Sequence, residues 1–308
     1  MKKIGVVFLA FLPLFAFLSC KKEGVFNPDK KITQVYTEAT VTDSDAGGAS
    51  TTSDIEKYKS QEWTWSGNLL TEMKSFDSDG SVTGKQILTY DGKRLIKVAD
   101  ESDSTYTEYT YKNGKLVSLT MVAAGQEMMS ADVIHENGKI AKLKFAMDMS
   151  GMDMGDLNFA KNSLGFVIPE KVADIILSPR IAKSKASQRI EIVANLTYIE
   201  GNVTKITVSY SGLTAITVNC TFDKKHNPLY GCYANIGPSA LSKNNIVEVS
   251  VSGLGASAAG DMIPQSQLCA YTYTDDDYPE TMTTNITENL EDSATRTTRQ
   301  VTTYVYGN

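Results

Sequence analysis

The sequence predicts an all-β protein, a large antiparallel meander of hairpins that curls into a barrel or half-barrel and is soluble. From about Trp63 onward, short runs rich in Thr, Tyr, Val and Ile alternate with Gly, Asn and Asp, which is typical of strands and turns. No window carries a sustained helical stripe of apolar residues. Tight glycine turns recur at Gly92, Gly114 and Gly138. Because chain-adjacent strands with short links tend to pair, these turns indicate consecutive hairpins.

The glycine turns are the strongest local signals in the chain. They lie in LTYDGKRLIKV at 88–98, YTYKNGKLVSLTM at 109–121 and VIHENGKIAKLKF at 133–145. A type I′ turn needs φ > 0 at both central residues, which Asp-Gly and Asn-Gly pairs favour. The residues predicted to set the strand register are Asp91 with Gly92, Asn113 with Gly114, and Asn137 with Gly138.

The N-terminus reads as a targeting segment. Residues 1–20, MKKIGVVFLAFLPLFAFLSC, have a Lys-Lys start, an apolar run from Ile4 to Leu18 and a small residue before a cysteine. The FLSC ending resembles a bacterial lipobox, which implies that residues 1–19 are a signal peptide and that lipid is attached to Cys20. Acyl chains on Cys20 would hold the protein on a membrane. We therefore expect a cell-envelope protein, anchored in the outer membrane on one of its two faces.

The residues that follow the cysteine read as a linker. The segment 21–31 is charged, and 37–54 is rich in Thr, Ser, Asp and Gly with almost nothing to bury. Such composition is typical of solvated, extended chain. We predict a lipid-attached flexible tether over 20–60 and a single large β domain over 61–308.

Charge and histidine content narrow the function classes. The formal net charge is −6 and no basic stripe is present, which argues against a nucleic-acid partner. The chain has two histidines, His135 and His226, each in or beside a predicted turn. Most hydrolytic and zinc chemistry uses histidine as base or ligand. We therefore predict a protein without a cofactor and without enzymatic activity.

A methionine run is the most unusual feature of the body. FAMDMSGMDMGDL places Met147, Met149, Met152 and Met154 around a Ser-Gly pair, with aspartates between them. Thioether ligands select Cu(I), and by the same softness Ag(I), so the run is a candidate metal site. The alternative is that flexible methionines fill an irregular apolar patch.

Three cysteines remain after Cys20. Cys220 and Cys232 flank a predicted turn and are placed to face each other across a hairpin. Export permits a disulfide between them. Buried free thiols are the other reading, and with Cys269 the odd count leaves the pairing open.

The lipobox, the linker and the repeated turn units TYDGKRL, TYKNGKL and FDKKHNPL together resemble a family of predicted Bacteroidota lipoproteins. That family carries a domain of unknown function described as a porin-like β fold. The turn units are also similar to the Tyr-Asp repeats of Rhs-type surface proteins. The resemblance covers roughly 60–308 and implies a curled sheet or barrel displayed on an envelope membrane. It carries over no catalytic residue.

A porin-like fold does not by itself imply a pore. A membrane barrel needs an outward band of lipid-compatible side chains about 25 Å tall. Here both faces of several runs carry Lys, Glu or Asp. We therefore expect a barrel that does not span the membrane.

These features favour one function and leave two alternatives. The favoured function is non-enzymatic binding of an extracellular ligand, a glycan or a peptide, by a lipid-anchored barrel. The alternatives are Cu(I) or Ag(I) binding through the methionine run, and a glycan-active enzyme that works with carboxylates. Because the glycine turns set register, we expect ligand binding in the segments that differ between hairpins, namely the methionine run, 156–190 and 220–232.

Overall fold

The protein is a closed antiparallel β-barrel. The computed structural model describes residues 23–45, 47–102, 104–148, 189–210, 213–234, 236–253, 266–289 and 294–307. They form sixteen strands, each paired with its sequence neighbours, and β1 pairs with β16 to close the ring. The meander predicted from sequence is confirmed, and closure selects a full barrel over a half-barrel.

The strands, in chain order, are β1 (Lys31–Ser44), β2 (Ser50–Ser66), β3 (Leu69–Phe76), β4 (Val82–Asp91), β5 (Arg94–Asp100), β6 (Thr105–Lys112), β7 (Lys115–Ala123), β8 (Gln126–Glu136), β9 (Lys139–Asp148), β10 (Arg189–Ile199), β11 (Asn202–Tyr210), β12 (Leu213–Phe222), β13 (Ile246–Ser252), β14 (Ser266–Tyr273), β15 (Pro279–Asn289) and β16 (Thr295–Gly307). A four-residue helix, α1 (Pro238–Leu241), lies between β12 and β13.

The predicted glycine turns join strands at one end of the barrel. Asn113 and Gly114 are the two central residues of the β6–β7 turn, with φ of 52° and 80°. The β8–β9 turn repeats this geometry at Asn137 and Gly138, with φ of 51° and 76°. These are the two positive φ angles that a type I′ turn requires.

The β4–β5 turn differs from its two successors. Asp91 is the last residue of β4 and pairs with Arg94, so the central residues are Gly92 and Lys93. Gly92 has φ of 60°, whereas Lys93 has no positive φ. Glycine at the first central position is the preference of a type II′ turn.

The two ends of the barrel are built differently. We call the capped end the one that carries the β4–β5, β6–β7 and β8–β9 turns together with residues 23–30 and the segment 223–245 that links β12 to β13. The opposite end, which we call the far end, carries the β1–β2 and β3–β4 turns among others. Both β1 and the residues that precede it therefore begin at the capped end.

The interior of the barrel is apolar. Leu143 and Phe145 of β9, Ile192 of β10, and Ile206 and Val208 of β11 are each at most 1% exposed. They belong to one hydrophobic cluster to which strands around the barrel contribute. Alternate residues of each strand point to opposite faces, so this side of the sheet forms the core.

Much of the outer wall is polar, although single apolar side chains such as Leu268 and Val305 are exposed on it. One row of directly paired residues runs through Lys142, Asn195, Thr207, Thr217 and Ser252 on five consecutive strands. Each of these residues is partly or fully exposed. The alternation in β9 thus places lysines outside and Leu143 inside, as the sequence pattern indicates.

The predicted tether over 20–60 is wrong from residue 23 onward. Glu23 and Gly24 are bonded to the barrel, and 31–44 and 50–60 form β1 and most of β2. Thr37 to Ser44 pair with β16 on one side and β2 on the other. The segment lacks apolar alternation because both of its faces carry polar groups near the far end. Threonine has a high preference for strands, and the two neighbours satisfy its backbone hydrogen bonds. The β domain therefore starts well before residue 61.

We predict that Leu143→Ala lowers the free energy of unfolding by about 2–5 kcal/mol, because it empties space in the packed interior. The matched change on the neighbouring residue, Lys142→Ala, should change it by about 0.5 kcal/mol or less, because Lys142 lies on the outer wall. Chemical denaturation of both variants measures the difference. Equal losses would contradict the assignment of inner and outer faces.

Candidate functional site

Two segments close the capped end of the barrel. One is the N-terminal segment, residues 23–30, and the other is the cap, which we define as residues 223–245. A cavity of about 390 Å³ lies where these segments meet the turns of the barrel. The two segments position many of the side chains that line the cavity.

The N-terminal segment is fixed through Glu23. His135 Nε2 lies 2.9 and 3.0 Å from the two carboxylate oxygens of Glu23. The backbone N–H of Leu116 donates to the same carboxylate at 2.8 Å. The side chains of Glu23 and His135 are 14% and 10% exposed. A carboxylate that accepts bonds from two different hairpins holds the start of the described chain in the barrel mouth.

Gly24 continues this attachment and requires glycine. Its carbonyl oxygen accepts a bond from the N–H of Leu95 at 2.8 Å. Its φ is 75°, and a Cβ at this position would lie 2.1 Å from the hydroxyl oxygen of Tyr111. That hydroxyl is buried without a hydrogen-bond partner among the described residues. Both the backbone conformation and the close approach therefore exclude a larger residue.

Phe26 completes the N-terminal segment with an apolar anchor. It is 6% exposed and its ring lies 5.7 Å from that of Trp65, centroid to centroid. The Nε1 of Trp65 donates to the carbonyl of Ile32 at 2.7 Å. The segment is therefore part of the barrel core at this end.

The cap is organised by the partly buried amide side chain of Asn227. Asn227 Nδ2 donates to the carbonyls of Ser239 and Ser242 at 2.6 and 2.7 Å, and its Oδ1 accepts from the N–H of Leu229 at 2.9 Å. The backbone N–H of Gly231 donates to the carbonyl of Ala240 at 2.8 Å. These bonds fold the chain before α1 back on the helix itself.

A second set of bonds joins the cap to the barrel. Asp223 accepts bonds from Asn245 Nδ2 at 3.1 Å and from the hydroxyl of Tyr273. Asn202, in β11, donates to Asn244 Oδ1 at 3.0 Å and accepts from the N–H of Asn244 at 3.1 Å. The cap is thus attached to strands on both sides of it and forms a fixed wall of the cavity.

The cavity lies between the two segments and combines aromatic and polar groups. Three tyrosines line it, Tyr198 from β10 and Tyr230 and Tyr233 from the cap. Glu23 and Lys139 also line it. Lys139 Nζ lies 4.9 Å from the centre of the Tyr198 ring, a cation–π arrangement.

Burial sets the protonation of these tyrosines. It raises the pKa of both the Tyr198 and the Tyr233 hydroxyl well above the ordinary value, and the Glu23 carboxylate raises both further. Both phenols therefore stay protonated at physiological pH and can donate hydrogen bonds. Tyr230 is 38% exposed, so the cavity is open to the outside at the rim. A volume near 400 Å³ with apolar walls and a few polar groups is in the range of small-ligand sites.

The sequence-predicted metal site lies mostly outside the described residues. Met149, Met152 and Met154 fall there, and so does Cys20. The backbone of Met147 is described in β9, opposite Met129 of β8 and Ile190 of β10. Within the part of the chain that the structure describes, no group of three or more His, Cys, Asp or Glu residues is placed to hold a metal ion. Copper binding by the methionine run stays a prediction.

The disulfide considered for Cys220 and Cys232 is not present, since both are free and buried. The hairpin that would pair them does not form. Cys220 in β12 lies opposite Val249 of β13, and the chain enters the cap directly after Phe222. Burial raises the pKa of both thiols to about 12, so they remain protonated and poorly reactive at neutral pH. Cys269 is also free and is partly buried.

Sequence reasoning missed several cavity residues. Glu23 falls in a charged stretch that reads as linker, and no local signal marks its bond to His135, which lies 112 positions away. Tyr198 reads as an ordinary strand residue. Tyr230 does lie in 220–232, one of the segments in which the sequence predicts ligand binding.

No helix among the described residues is both long and apolar enough to cross a membrane. No protein-family model and no curated protein sequence matches the chain. Among solved structures, a porin-like protein from Bacteroides uniformis ATCC 8492, determined at 2.32 Å resolution, is similar with a TM-score of 0.47 at 10% identity. The alignment covers 88% of this chain and 97% of that chain. At this level of similarity we draw no functional conclusion from it.

We predict that Gly24→Ala detaches the N-terminal segment, because its Cβ would collide with the Tyr111 hydroxyl oxygen in a conformation already unfavourable for alanine. Hydrogen exchange should show lost protection at the Leu95 and Leu116 amides, which bond to Gly24 and Glu23. Gly48→Ala is the matched control. Gly48 has φ of 84° but nothing lies within 4 Å of its added Cβ, so those amides should stay protected. Unchanged protection in Gly24→Ala would show that the segment is not fixed as described.

Proposed function

We propose that this protein is a lipid-anchored, non-enzymatic envelope protein whose barrel lies outside the bilayer and binds a ligand at the capped end. The observation that carries the proposal is the cavity, walled by three tyrosines and provided with a carboxylate and an ammonium group. The chemistry of the walls favours a short glycan as the ligand.

The outer wall supports a barrel that lies outside the bilayer. A transmembrane barrel has an apolar outward band and a polar interior. Here the outward row through Lys142, Asn195 and Thr207 is polar, whereas Leu143 and Ile206 point into an apolar core. Placing such a wall in lipid would bury charged and amide groups without partners. The arrangement supports a barrel in water.

The anchor rests on the sequence. The lipobox ending at Cys20 predicts lipid attachment there, and acyl chains contribute about 0.8 kcal/mol for each buried CH₂. Several chains on one cysteine would retain the protein in an envelope membrane. The polar barrel then needs no other membrane contact to be retained.

A glycan fits the cavity better than the alternatives. Tyrosine rings offer apolar faces for the C–H faces of sugar rings, and protonated phenols donate to sugar hydroxyls. The Glu23 carboxylate can accept bonds from hydroxyls and the Lys139 ammonium can donate them. A peptide, the other ligand expected from sequence, would use a longer groove or a free sheet edge, and the closed barrel offers no such edge among the described strands.

The enzymatic alternative finds less support at this cavity. Glycoside hydrolysis uses a pair of carboxyl groups on either side of the scissile bond. Glu23 is the single carboxylate among the described lining residues, and it is bound to His135. A shallow depression on the outer wall does bring Glu38, Asp54 and Glu56 together beside Arg299, and a carboxylate-dependent enzyme would have to use that place.

Removing the anchor tests the location. Globomycin treatment of the wild type should leave residues 1–19 attached as a larger precursor. Cys20→Ala, in a chain whose residues 1–19 are replaced by a signal peptide that is cleaved without lipidation, should move the protein from the membrane fraction to the soluble fraction after a high-salt wash. The polar wall predicts this, because nothing else would bury the barrel in lipid. Western blots of fractionated cells measure it. A Cys20→Ala protein that stays in the membrane through the wash would contradict both the anchor and the water-exposed barrel.

Replacing a cavity tyrosine tests the ligand site. A glycan array on the mature chain should identify a binding glycan, and Tyr230→Ala should weaken that binding about three- to tenfold, as expected for one lost aromatic contact. Tyr230 is partly exposed, so folding should be retained.

Tyr106→Ala is the matched control for this variant. Tyr106 is a tyrosine that lies outside the cavity, where Lys97 Nζ is 3.9 Å from its ring centre. The affinity of the Tyr106→Ala variant for the glycan, measured by calorimetry, should equal that of the wild type. Absence of any glycan ligand, or equal effects of the two variants, would refute glycan binding at this cavity.

A further inference from the structure

We propose that the capped end of the barrel faces the membrane and binds anionic lipid head groups through a set of exposed lysines. The orientation of the anchored molecule rests on lipidation at Cys20, which is part of the proposed function. The binding of head groups does not depend on it. Four observations on the chain lead to this orientation.

The first observation is the short distance between the lipid and the barrel. Glu23, three residues after Cys20, is already fixed in the barrel mouth by His135 and Leu116. Three fully extended residues span at most about 10–11 Å. The anchored barrel therefore has no long tether, and the end to which Glu23 is bound must lie within about that distance of the membrane surface.

The second observation is the charge on that end. Five lysines, which we call the lysine rim, are exposed on the turns and the cap. They are Lys93 in the β4–β5 turn, Lys112 and Lys115 beside the β6–β7 turn, Lys139 after the β8–β9 turn, and Lys243 in the cap. Lys243 lies against the β10–β11 turn, where a Cβ on Gly201 would be 3.2 Å from its Cδ. The rim thus follows consecutive hairpins along one arc of the barrel mouth.

The third observation is the contrast between this arc and the whole chain. The four turns of this arc and their flanking residues hold three carboxylates, Asp91, Glu136 and Glu200, against four rim lysines and Arg94. The arc is therefore net positive in a chain whose formal charge is −6. Anionic membranes attract basic residues that lie within about one Debye length, roughly 8–10 Å, of their surface.

The negative charge on the other side of the mouth does not cancel the positive charge of this arc. The β14–β15 turn carries Asp275, Asp276 and Asp277, but two of these carboxylates are paired. Asp276 pairs with Lys30, and Asp277 Oδ1 lies 2.5 Å from Lys225 Nζ. These pairs lie next to the seam between β1 and β16, away from the β4–β9 hairpins that hold most of the rim. The charge distribution favours an inclined contact in which the β4–β9 side is nearest to the lipid.

The fourth observation is the position of the cavity. Lys139 belongs both to the rim and to the cavity lining, and Tyr230, at 38% exposure, opens the cavity at the same end. A barrel held with this end toward the membrane would receive ligands from the membrane surface. The proposal therefore narrows the ligand to a glycan carried by a lipid head group.

Vesicle binding tests the lysine rim without the anchor. The mature chain with Cys20→Ala should sediment with phosphatidylcholine vesicles that contain phosphatidylglycerol and not with phosphatidylcholine alone. Lys93, Lys112 and Lys115, which do not line the cavity, are changed together to Gln. We expect a loss of about fivefold for each lysine, or about 100-fold in the partition coefficient.

The control carries the same charge change on the outer wall, with Lys142, Lys144 and Lys205 changed to Gln. It should bind anionic vesicles nearly as well as the parent. Equal losses in the two triple variants, or no preference for anionic vesicles, would overturn the proposal. Because the parent lacks Cys20, this result is independent of whether lipidation occurs.

Labelling of the lipidated protein tests the orientation. Asn68→Cys, at the capped end, and Ser78→Cys, at the far end, are both exposed positions, and Cys269→Ala removes the partly exposed native thiol. On intact vesicles a polymer-linked maleimide should label Ser78→Cys several-fold faster than Asn68→Cys. Detergent should remove the difference. Equal labelling on intact vesicles would overturn the orientation while leaving the anchor itself intact.

Discussion

Closure of the barrel between β1 and β16 is the constraint on which the rest of the structure depends. The two strands are paired along their whole length, from Lys31 opposite Gly307 to Ser44 opposite Thr295. The register shifts once, between Ile32 and Gln34. It fixes the direction in which the chain enters β1 and so places the preceding residues in the barrel mouth. The docking of Glu23, the shape of the cavity and the short distance to Cys20 all follow from that placement.

The sequence predicted the features that depend on adjacent residues. It missed the features that depend on residues far apart in the chain. Asn113 with Gly114 and Asn137 with Gly138 signal their turns because the required positive φ is a property of the residues themselves. The strand at 31–44 carries no comparable signal. Its polar residues are held by partners more than 250 positions away in β16, and composition alone cannot reveal a partner so distant.

The same distinction applies to the candidate site. The sequence predicts ligand binding in segments that include 220–232. This segment contributes Tyr230 to the cavity, but as part of a cap and not as a hairpin. The amide bonds of Asn227 that shape this cap connect it to Ser239 and Ser242, and no turn rule describes such a network. The position of Glu23 could not be predicted from the charged residues around it, because its burial depends on His135, which lies far away in the β8–β9 hairpin.

The seam between β1 and β16 also determines the order of folding. The first and last strands of the barrel must meet, so ring closure requires that β16 has been synthesised. Until then one edge of β1 and the growing edge of the meander are unpaired, and open strand edges can associate with other chains. Pairings between distant residues also form slowly. The sequences of β1 and β16 are rich in threonine and carry charged residues. Such polar edges resist aggregation before the two strands pair.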